Sequence, residues 1–381
     1  MSGLPSGSRV RPRSLLVVLT LGLSWASPSA ATEPSPGDDL AAMFSLQRAR
    51  REQQRDATPA APYRANLPWP VGDDGGDDES ERWLRVSAGP EWDGKAPLLS
   101  NAIGPPDEIA HGSHGGGVWF VDVGSELFES GSWSGGLAGS YWGAAYSDVD
   151  FDTNYPTVAS FLDWTISDDK ALRFRYDFGY AWVDLDGFAT THHVGPRFYK
   201  SWGEAGASEF RAEYYNYDSH VGQPAGQGAG RRDRSGWGFI VAGEHRVALD
   251  FNDSELRFGY HYQHYIPDGA EFHNQSHQIW VGGSTALPLD VVLDANVSFL
   301  YQGARNDTSF PGPDQPSYPS FDRQGFRRHD TIWRTELALG RSFGSHVSGS
   351  FEWGFTNHDS NISLYDYRAH RVGTYLTVHF N

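Results

Sequence analysis

The sequence predicts an all-β protein: a transmembrane antiparallel up-and-down β-barrel of about 14 strands, with short periplasmic turns and long extracellular loops. Segments of about ten residues alternate apolar and polar side chains, which is the pattern of a tilted membrane-crossing strand. The connections between them are short and long in turn. The 381 residues include 44 glycines and 14% aromatic residues, yet only 39% are hydrophobic. No internal apolar run reaches the roughly 20 residues of a membrane helix, so a helical membrane protein is excluded.

The charge balance and the absence of cysteine exclude several functions. Lysine and arginine number 30 against 48 aspartates and glutamates, a net charge of -18, which argues against a nucleic-acid partner. With no cysteine, the chain has no disulfide scaffold, Cys-ligated metal or thiol chemistry. No cofactor is therefore predicted.

The first segment indicates export from the cytoplasm. Arg9, Arg11 and Arg13 precede the apolar stretch 14–26, and the small residues 29–31 follow it. This order is typical of a secretory signal peptide, predicted here as residues 1–31.

Residues 32–80 differ in composition from the rest of the chain. Prolines are scattered through them, and the acidic run 73–79 closes them. Residues 38–55 have the pattern of one short helix with an aspartate cap and arginines near its C-terminal end. Two interpretations stay open, a plug or partner-docking helix and a periplasmic linker with transient helix, and the linker is preferred.

From residue 81 to residue 381 the sequence has a period of two. In 172–182, for example, Leu172, Phe174 and Phe178 alternate with Arg173, Arg175 and Asp177. Successive side chains of a strand point to opposite faces, so one face is apolar and the other polar. The predicted strand cores are 82–92, 118–128, 133–145, 157–166, 171–183, 190–200, 208–217, 235–247, 255–266, 277–286, 291–302, 331–342, 347–356 and 368–380.

The lengths of the connections predict the orientation of the barrel in the membrane. Those after even-numbered strands are short. Those after odd-numbered strands are mostly long and rich in Gly, Pro, Asp and Asn, at 93–117, 146–156, 184–189, 218–234, 267–276, 303–330 and 357–367. This layout, with both termini periplasmic, is typical of the outer membrane of a Gram-negative bacterium. A propeller would show a repeat near 40 residues, and none is visible. A soluble sandwich would not need aromatic residues at so many strand ends.

Backbone groups in lipid must be hydrogen-bonded, and only closure of the sheet removes its edges. Outer-membrane lipid is thus the expected partner of the apolar face. Aromatic residues near strand ends suit the two membrane interfaces. They are Trp92, Tyr141, Trp164, Trp182, Trp202, Trp237, Trp333 and Trp353.

Three segments, 180–196, 255–266 and especially 357–380, carry a family resemblance. They resemble the barrels that follow tetratricopeptide-repeat domains in surface lipoprotein assembly modifiers and in exopolysaccharide-export proteins. The resemblance covers residues 81–381, without the repeat domain. It implies a conduit, a periplasmic export partner, and recognition of the last strand by the barrel-assembly machinery. That strand would present Val372, Thr374, Leu376, Val378 and the terminal aromatic Phe380.

Charged residues on the polar face predict the lining of the barrel lumen. They are Arg173, Arg175, Asp177, Arg211, Glu213, Glu244, Arg246, Arg257, Asp294, Arg334, Glu336, Glu352 and Arg371. Two interpretations are about equally favoured: a selective conduit for a polar substrate, or a ladder of ion pairs that fills and rigidifies the lumen.

Candidates for catalysis or metal binding are weak. Ser276 with His261, His264 and His277 could supply a hydrolase, but so many serines and histidines make such coincidences common. His111–Gly117 is predicted as a flexible glycine-rich loop, and Gly222–Gly230 lacks the lysine of a phosphate loop. Asp148, Asp150 and Asp152 suit weak Ca²⁺ binding or surface acidity, and acidity is simpler.

The leading prediction is a non-enzymatic conduit for export or diffusion of a polar substrate across the outer membrane, with export slightly favoured by the resemblance. The alternatives are a non-transporting structural or adhesion barrel working through loops 218–234 and 303–330, and a barrel-embedded hydrolase.

Overall fold

A computed structural model describes residues 82–93, 114–147, 152–183, 186–220, 234–252, 254–269, 272–307, 327–344, 346–361 and 367–380. These residues form 14 antiparallel strands. The strands are β1 Arg82–Asp93, β2 His114–Ser130, β3 Trp133–Tyr146, β4 Thr153–Ser167, β5 Lys170–Val183, β6 Asp186–Ser201, β7 Gly206–Ser219, β8 Gly236–Leu249, β9 Ser254–Pro267, β10 Asn274–Leu287, β11 Val291–Asp307, β12 Arg327–Ser342, β13 Val347–Ser360 and β14 Tyr367–Phe380.

The sheet closes on itself. Each strand pairs with its neighbours in sequence, and β14 returns to pair with β1. The closing register sets Leu84 opposite Phe380 and Asp93 opposite Arg371. Closure gives every strand a partner on both sides. The backbone N–H and C=O groups are therefore hydrogen-bonded within the sheet, which is required because hydrocarbon offers them no partner. The all-β antiparallel barrel predicted from the alternation is confirmed.

Thirteen of the 14 predicted strand cores fall within observed strands, and the remaining one, 235–247, begins one residue before β8. The long connections are all shorter than predicted, because the strands extend beyond their predicted cores. Gly115 and Gly116 belong to β2, where they pair with Trp92 and Glu91, because β1 extends far enough to give them partners. Likewise β6 begins at Asp186, so the connection after β5 is 184–185 and not 184–189. Residues 1–81 lie outside the described residues, so the signal peptide and the linker stay predictions.

Tight turns use the left-handed backbone region at the short-connection end of the barrel. Between β10 and β11, Leu289 and Asp290 have φ of 70° and 57°. Two successive residues with positive φ fit the right-handed twist of a hairpin, although they are costly for a non-glycine residue. The turn between β2 and β3 uses Gly131 at φ 61°.

The outer face is apolar and exposed. The alternation predicts that Phe174, Phe178, Leu293, Val297, Leu337 and Phe351 contact lipid. All but Leu293 are 36–47% exposed, and Leu293 is half-buried. A soluble protein rarely exposes so many large apolar side chains over a continuous surface, whereas hydrocarbon accepts them. No helix among the described residues is long and apolar enough to cross a membrane.

Candidate functional site in the barrel interior

Pairing fixes which side chains share the inner face, because directly opposed residues of neighbouring strands point to the same side. Arg173, for example, lies between the outward-facing Leu172 and Phe174 and opposite Arg197, which in turn lies opposite Arg211. All the charged residues predicted to line the lumen occupy inward positions in this alternation and are buried or half-buried. Whether they conduct a substrate stays a prediction.

Arginines crowd the half of the interior nearest the short turns. Arg173, Arg197 and Arg211 are direct neighbours on β5, β6 and β7, and Arg246 lies opposite Arg257 on β8 and β9. Like charges directly opposed across a sheet are destabilising. We call these five residues the arginine girdle, and it requires compensating carboxylates.

Carboxylates on adjacent positions supply that compensation. Arg173 donates from Nε and Nη2 to the two oxygens of Asp163 at 2.8 and 2.9 Å, and both side chains are almost fully buried. Its guanidinium also lies 4.4 Å from the centre of the Phe161 ring. Glu213 accepts from Arg197 at 3.0 Å, with Arg211 at 4.0 Å. A two-bond arginine–carboxylate pair is directional and strong, so it fixes both side chains against the wall.

The other two girdle arginines are also paired. Arg246 contacts Glu244 at 2.7 Å, and Arg257 pairs with Asp294 and with Glu255, the latter at 3.3 Å. The girdle is therefore an arc of ion pairs over β5 to β9.

A second charged group lies further toward the long loops, on β12 to β14 and β1. Arg371 approaches three carboxylates, Glu91 at 3.6 Å and Glu336 and Glu352 at 3.9 Å each. Glu91 also accepts a hydrogen bond from the Tyr375 hydroxyl. On this part of the wall, Arg371 is therefore shared by three carboxylates.

Three further residues predicted to line the lumen are Arg175, Asp177 and Arg334. Arg175 pairs with Asp177 at 2.6 Å. Arg334 is half-buried and opposite Ser298 on β11.

Aromatic side chains fill part of the loop-side half of the interior, a feature that the sequence did not predict. The aromatic cluster consists of Phe120, Trp142, Tyr155, Phe188, Tyr215, Tyr217 and Tyr265, all at most 8% exposed, and Tyr375 of β14 belongs to the same buried cluster. Tyr215 stacks on Tyr265 with ring centres 5.9 Å apart and accepts a hydrogen bond from Gln263 at 2.8 Å.

Two residues from the connections reach this cluster. Phe272 packs against it, and the guanidinium of Arg234 lies 4.8 Å from the Phe272 ring centre. The Tyr265 hydroxyl donates to the Arg234 carbonyl. The aromatic cluster, with Phe272 packed against it, therefore occupies part of the loop-side half of the interior.

The serine and histidines considered for catalysis are separated by the wall. Ser276 and His261 have inward positions, whereas His264 and His277 lie on the outer face with Tyr262. His277 bonds the Tyr260 hydroxyl at 2.7 Å, and His264 Nε2 lies 2.8 Å from His273 Nε2. Of the four, only Ser276 and His261 share the inner face, so the four residues cannot act together on one substrate.

Metal binding finds no support in the described part of the chain. Within it, no group of three or more His, Asp or Glu side chains is close enough to hold a metal ion. Asp148, Asp150, His111 and the segment Gly222–Gly230 lie outside the described residues.

The last strand has its apolar residues on the outer face. Leu376 and Phe380 are 55% and 52% exposed, and Val372, Thr374 and Val378 share their parity. Phe380 ends β14 opposite Leu84 of β1. Recognition of this strand by the barrel-assembly machinery stays a prediction.

Comparisons with known proteins gave structural resemblances only. No family model matches the chain, and no curated protein matches it. In-vitro folded OmpT, an outer membrane protein of Vibrio cholerae, has a TM-score of 0.45 at 10% identity, covering 79% of this chain and 97% of that one. The outer membrane channel DcaP of Acinetobacter baumannii gives the same four values. An anion-selective porin from Comamonas acidovorans has a TM-score of 0.44 at 7% identity, covering 79% and 99%.

At these scores and identities the resemblances carry no argument about function. The finer resemblance to surface lipoprotein assembly modifiers and exopolysaccharide-export barrels is not shown by them and stays a prediction.

Proposed function

We propose that the chain is an outer-membrane channel through which small polar solutes diffuse. One observation carries the proposal: a closed 14-stranded barrel has an apolar outer face and an inner face bearing ion pairs from β1 round to β14. Charged side chains at membrane depth are costly unless they face water or one another, and they commonly mark a solute path. Barrel diameter grows with strand number, and this barrel lies between small filled barrels of about 8 strands and porins of about 16.

Conductance of the purified chain in planar lipid bilayers tests the proposal. A channel gives discrete current steps, and liposomes containing it swell in small sugars. Ser298 faces inward and is 4% exposed, whereas its neighbour Val297 faces outward and is 44% exposed. Ser298→Trp should lower conductance, and the matched control Val297→Trp should leave it unchanged, because only the first substitution enters the lumen. Equal conductance in both variants would contradict a path along the β11 wall.

A non-transporting structural barrel is the second candidate. The aromatic cluster and the mutual pairing of the girdle favour it, because both fill and rigidify the interior. A folded, membrane-inserted barrel that gives no current and no swelling would support this candidate. It would also remain compatible with gated export, which would require a periplasmic partner.

A further inference from the structure

A shallow groove lies on the outer face of the barrel at the end that carries the short turns. Two rows of directly opposed residues form it, and opposed residues share a face. One row is Phe380, Leu84, Val123 and Gly139, on β14, β1, β2 and β3. The other row lies one step nearer the turns and is Arg82, Ser125 and Leu137. Leu84, Val123, Leu137 and Phe380 are 36–52% exposed, so the groove opens to the hydrocarbon side.

The groove exists because an outward-facing glycine is left uncovered. A Cβ on Gly139 would make only ordinary contacts, 3.5 Å from Val123 Cγ1 and 3.6 Å from the Thr157 carbonyl oxygen. On the same strand, a Cβ on the outward-facing Gly143 would lie 2.2 Å from Trp119, so that position is already filled. The resulting groove has a volume of about 570 Å³ and is lined mostly by apolar atoms. This volume falls in the range of small-molecule sites.

One cation borders the groove. Arg82, the first residue of β1, lines its turn-side end and is exposed. Among the described residues Arg82 has no ion pair and no side-chain hydrogen bond. The nearby carboxylates Asp122 and Glu126 have inward positions, and Asp122 is paired with Arg85 at 2.7 Å. An exposed guanidinium at the membrane interface beside an apolar groove complements a ligand with an anionic head and an acyl chain.

We propose that this groove binds an anionic phospholipid, with its phosphate on Arg82 and one acyl chain over Leu84, Val123 and Gly139. Guanidinium groups bind phosphate through two parallel N–H donors. Each buried methylene of the chain adds to affinity. The lipid would lie in the leaflet on the turn side, which is the periplasmic leaflet in the predicted orientation. This site goes beyond the proposed channel function and does not depend on whether the lumen conducts.

Native mass spectrometry of the purified full chain tests the site, with phosphatidylglycerol as the probe and phosphatidylcholine of the same chains as the comparison. Wild type should retain phosphatidylglycerol preferentially, because the choline group neutralises the phosphate. Arg82→Gln should weaken phosphatidylglycerol binding about tenfold, the usual scale for a lost charge-assisted hydrogen bond. Gly139→Leu should weaken the binding of both lipids by filling the groove.

Matched controls separate the site from general effects. Arg341 is another exposed turn-side arginine, beside Phe343 on the β12 wall, and Arg341→Gln should bind lipid as wild type does. Ala212→Leu adds the same side chain to the outer face of β7 and should also have no effect. Arg82→Lys should restore part of the preference.

Three outcomes would overturn the proposal. Equal binding of both lipids with no effect of Arg82→Gln would show that Arg82 does not bind the phosphate. Unchanged lipid binding in Gly139→Leu would show that the lipid does not occupy the groove. If the wild type forms a dimer that Gly139→Leu abolishes without loss of lipid, the groove binds a second copy of the chain instead. Where Gly139→Leu fails to fold, as judged by heat-modifiable gel migration, Gly139→Val provides the same steric test.

Discussion

Burial decides how much each interior ion pair matters. Arg173 and Asp163 keep 6% and 7% of their side chains exposed, whereas Arg175 and Asp177 keep 16% and 14%. Two charges removed from water are stable only while they face each other, and loss of one partner leaves the other uncompensated. The more buried pair should therefore be the less tolerant of change.

Arg173→Gln should lower the free energy of unfolding by about 3–5 kcal/mol, because it leaves the Asp163 carboxylate buried without its cation. Denaturant titration of the barrel in detergent, followed by tryptophan fluorescence, measures the change. Arg175→Gln serves as the matched control and should cost less, since water screens its partner. The double variant R173Q/D163N should recover part of the loss. Equal costs at Arg173 and Arg175 would show that the girdle is fully hydrated.

The two faces of one strand should respond oppositely to a charge. Leu337 of β12 is 40% exposed on the outer face, and the next residue, Ala338, lies opposite Asp294 and Glu352 on the inner face. Leu337→Arg should cost about 2–4 kcal/mol, the scale for arginine at the bilayer midplane. Ala338→Arg should cost less, because carboxylates flank it. Unfolding in lipid vesicles measures both, and equal tolerance would mean that the faces are misassigned.

At the scale of elements, the strands were predictable and the connections were less so. A period of two over ten residues is a local property, so each strand core was found from its own sequence. The ends of a strand depend on the partner strand. Gly115 and Gly116 show no alternation of apolar residues, and they belong to β2 only because Trp92 and Glu91 of β1 pair with them. The aromatic cluster was missed for a similar reason. Tyr215 and Tyr217 share the parity of the predicted lumen residues Arg211 and Glu213, but their ring contacts with Tyr265 depend on which strands pair, and no local pattern gives that.

The β9–β10 connection should respond to pH. Burial, together with the neighbouring His264 and Arg305, holds the pKa of the His273 imidazole below its ordinary value. The unfolded connection therefore takes up a proton at a higher pH than the folded one. The neutral His273 therefore contributes its whole stabilisation of this connection above about pH 6.5, the ordinary pKa of histidine. That contribution falls as the pH drops below this value. Double protonation also removes the His264–His273 hydrogen bond.

Amide hydrogen exchange measures this effect. The Arg305 amide donates to the His273 carbonyl at 2.8 Å, and its exchange, corrected for intrinsic rate, should be faster at pH 5 than at pH 7.5. His273→Gln should abolish the difference. The Ser147 amide, bonded to the Gly115 carbonyl at 3.0 Å at the loop-side end of β2 and β3, is the internal control. A pH effect of the same size at both amides would indicate general loosening of the loop-side end instead of a histidine effect.

At the scale of the whole molecule, closure brings together residues that no local pattern connects. Arg371 meets Glu91 because β14 pairs with β1 across nearly the full length of the barrel sequence. The inward position of Arg371 was predictable from alternation, but its three carboxylate neighbours were not. The same closure makes Arg371 a better probe of the lumen than Arg173, which is held against Asp163 on the buried wall.

Replacing Arg371 by Ser should separate an open lumen from a filled one. The substitution removes a cation that lies 3.6–3.9 Å from Glu91, Glu336 and Glu352. In an open channel, the loss of this positive charge makes the wall around these carboxylates more negative, so it attracts cations, and low-dielectric walls strengthen the field. The reversal potential under a KCl gradient should then shift toward the potassium potential, while Arg341→Gln on the outer face gives no shift. If the lumen is filled, the same substitution should lower the free energy of unfolding. Neither the wild type nor the variant should then conduct a current. A conducting wild type whose ion selectivity does not change in Arg371→Ser would mean that the solute path avoids the β12–β14 wall.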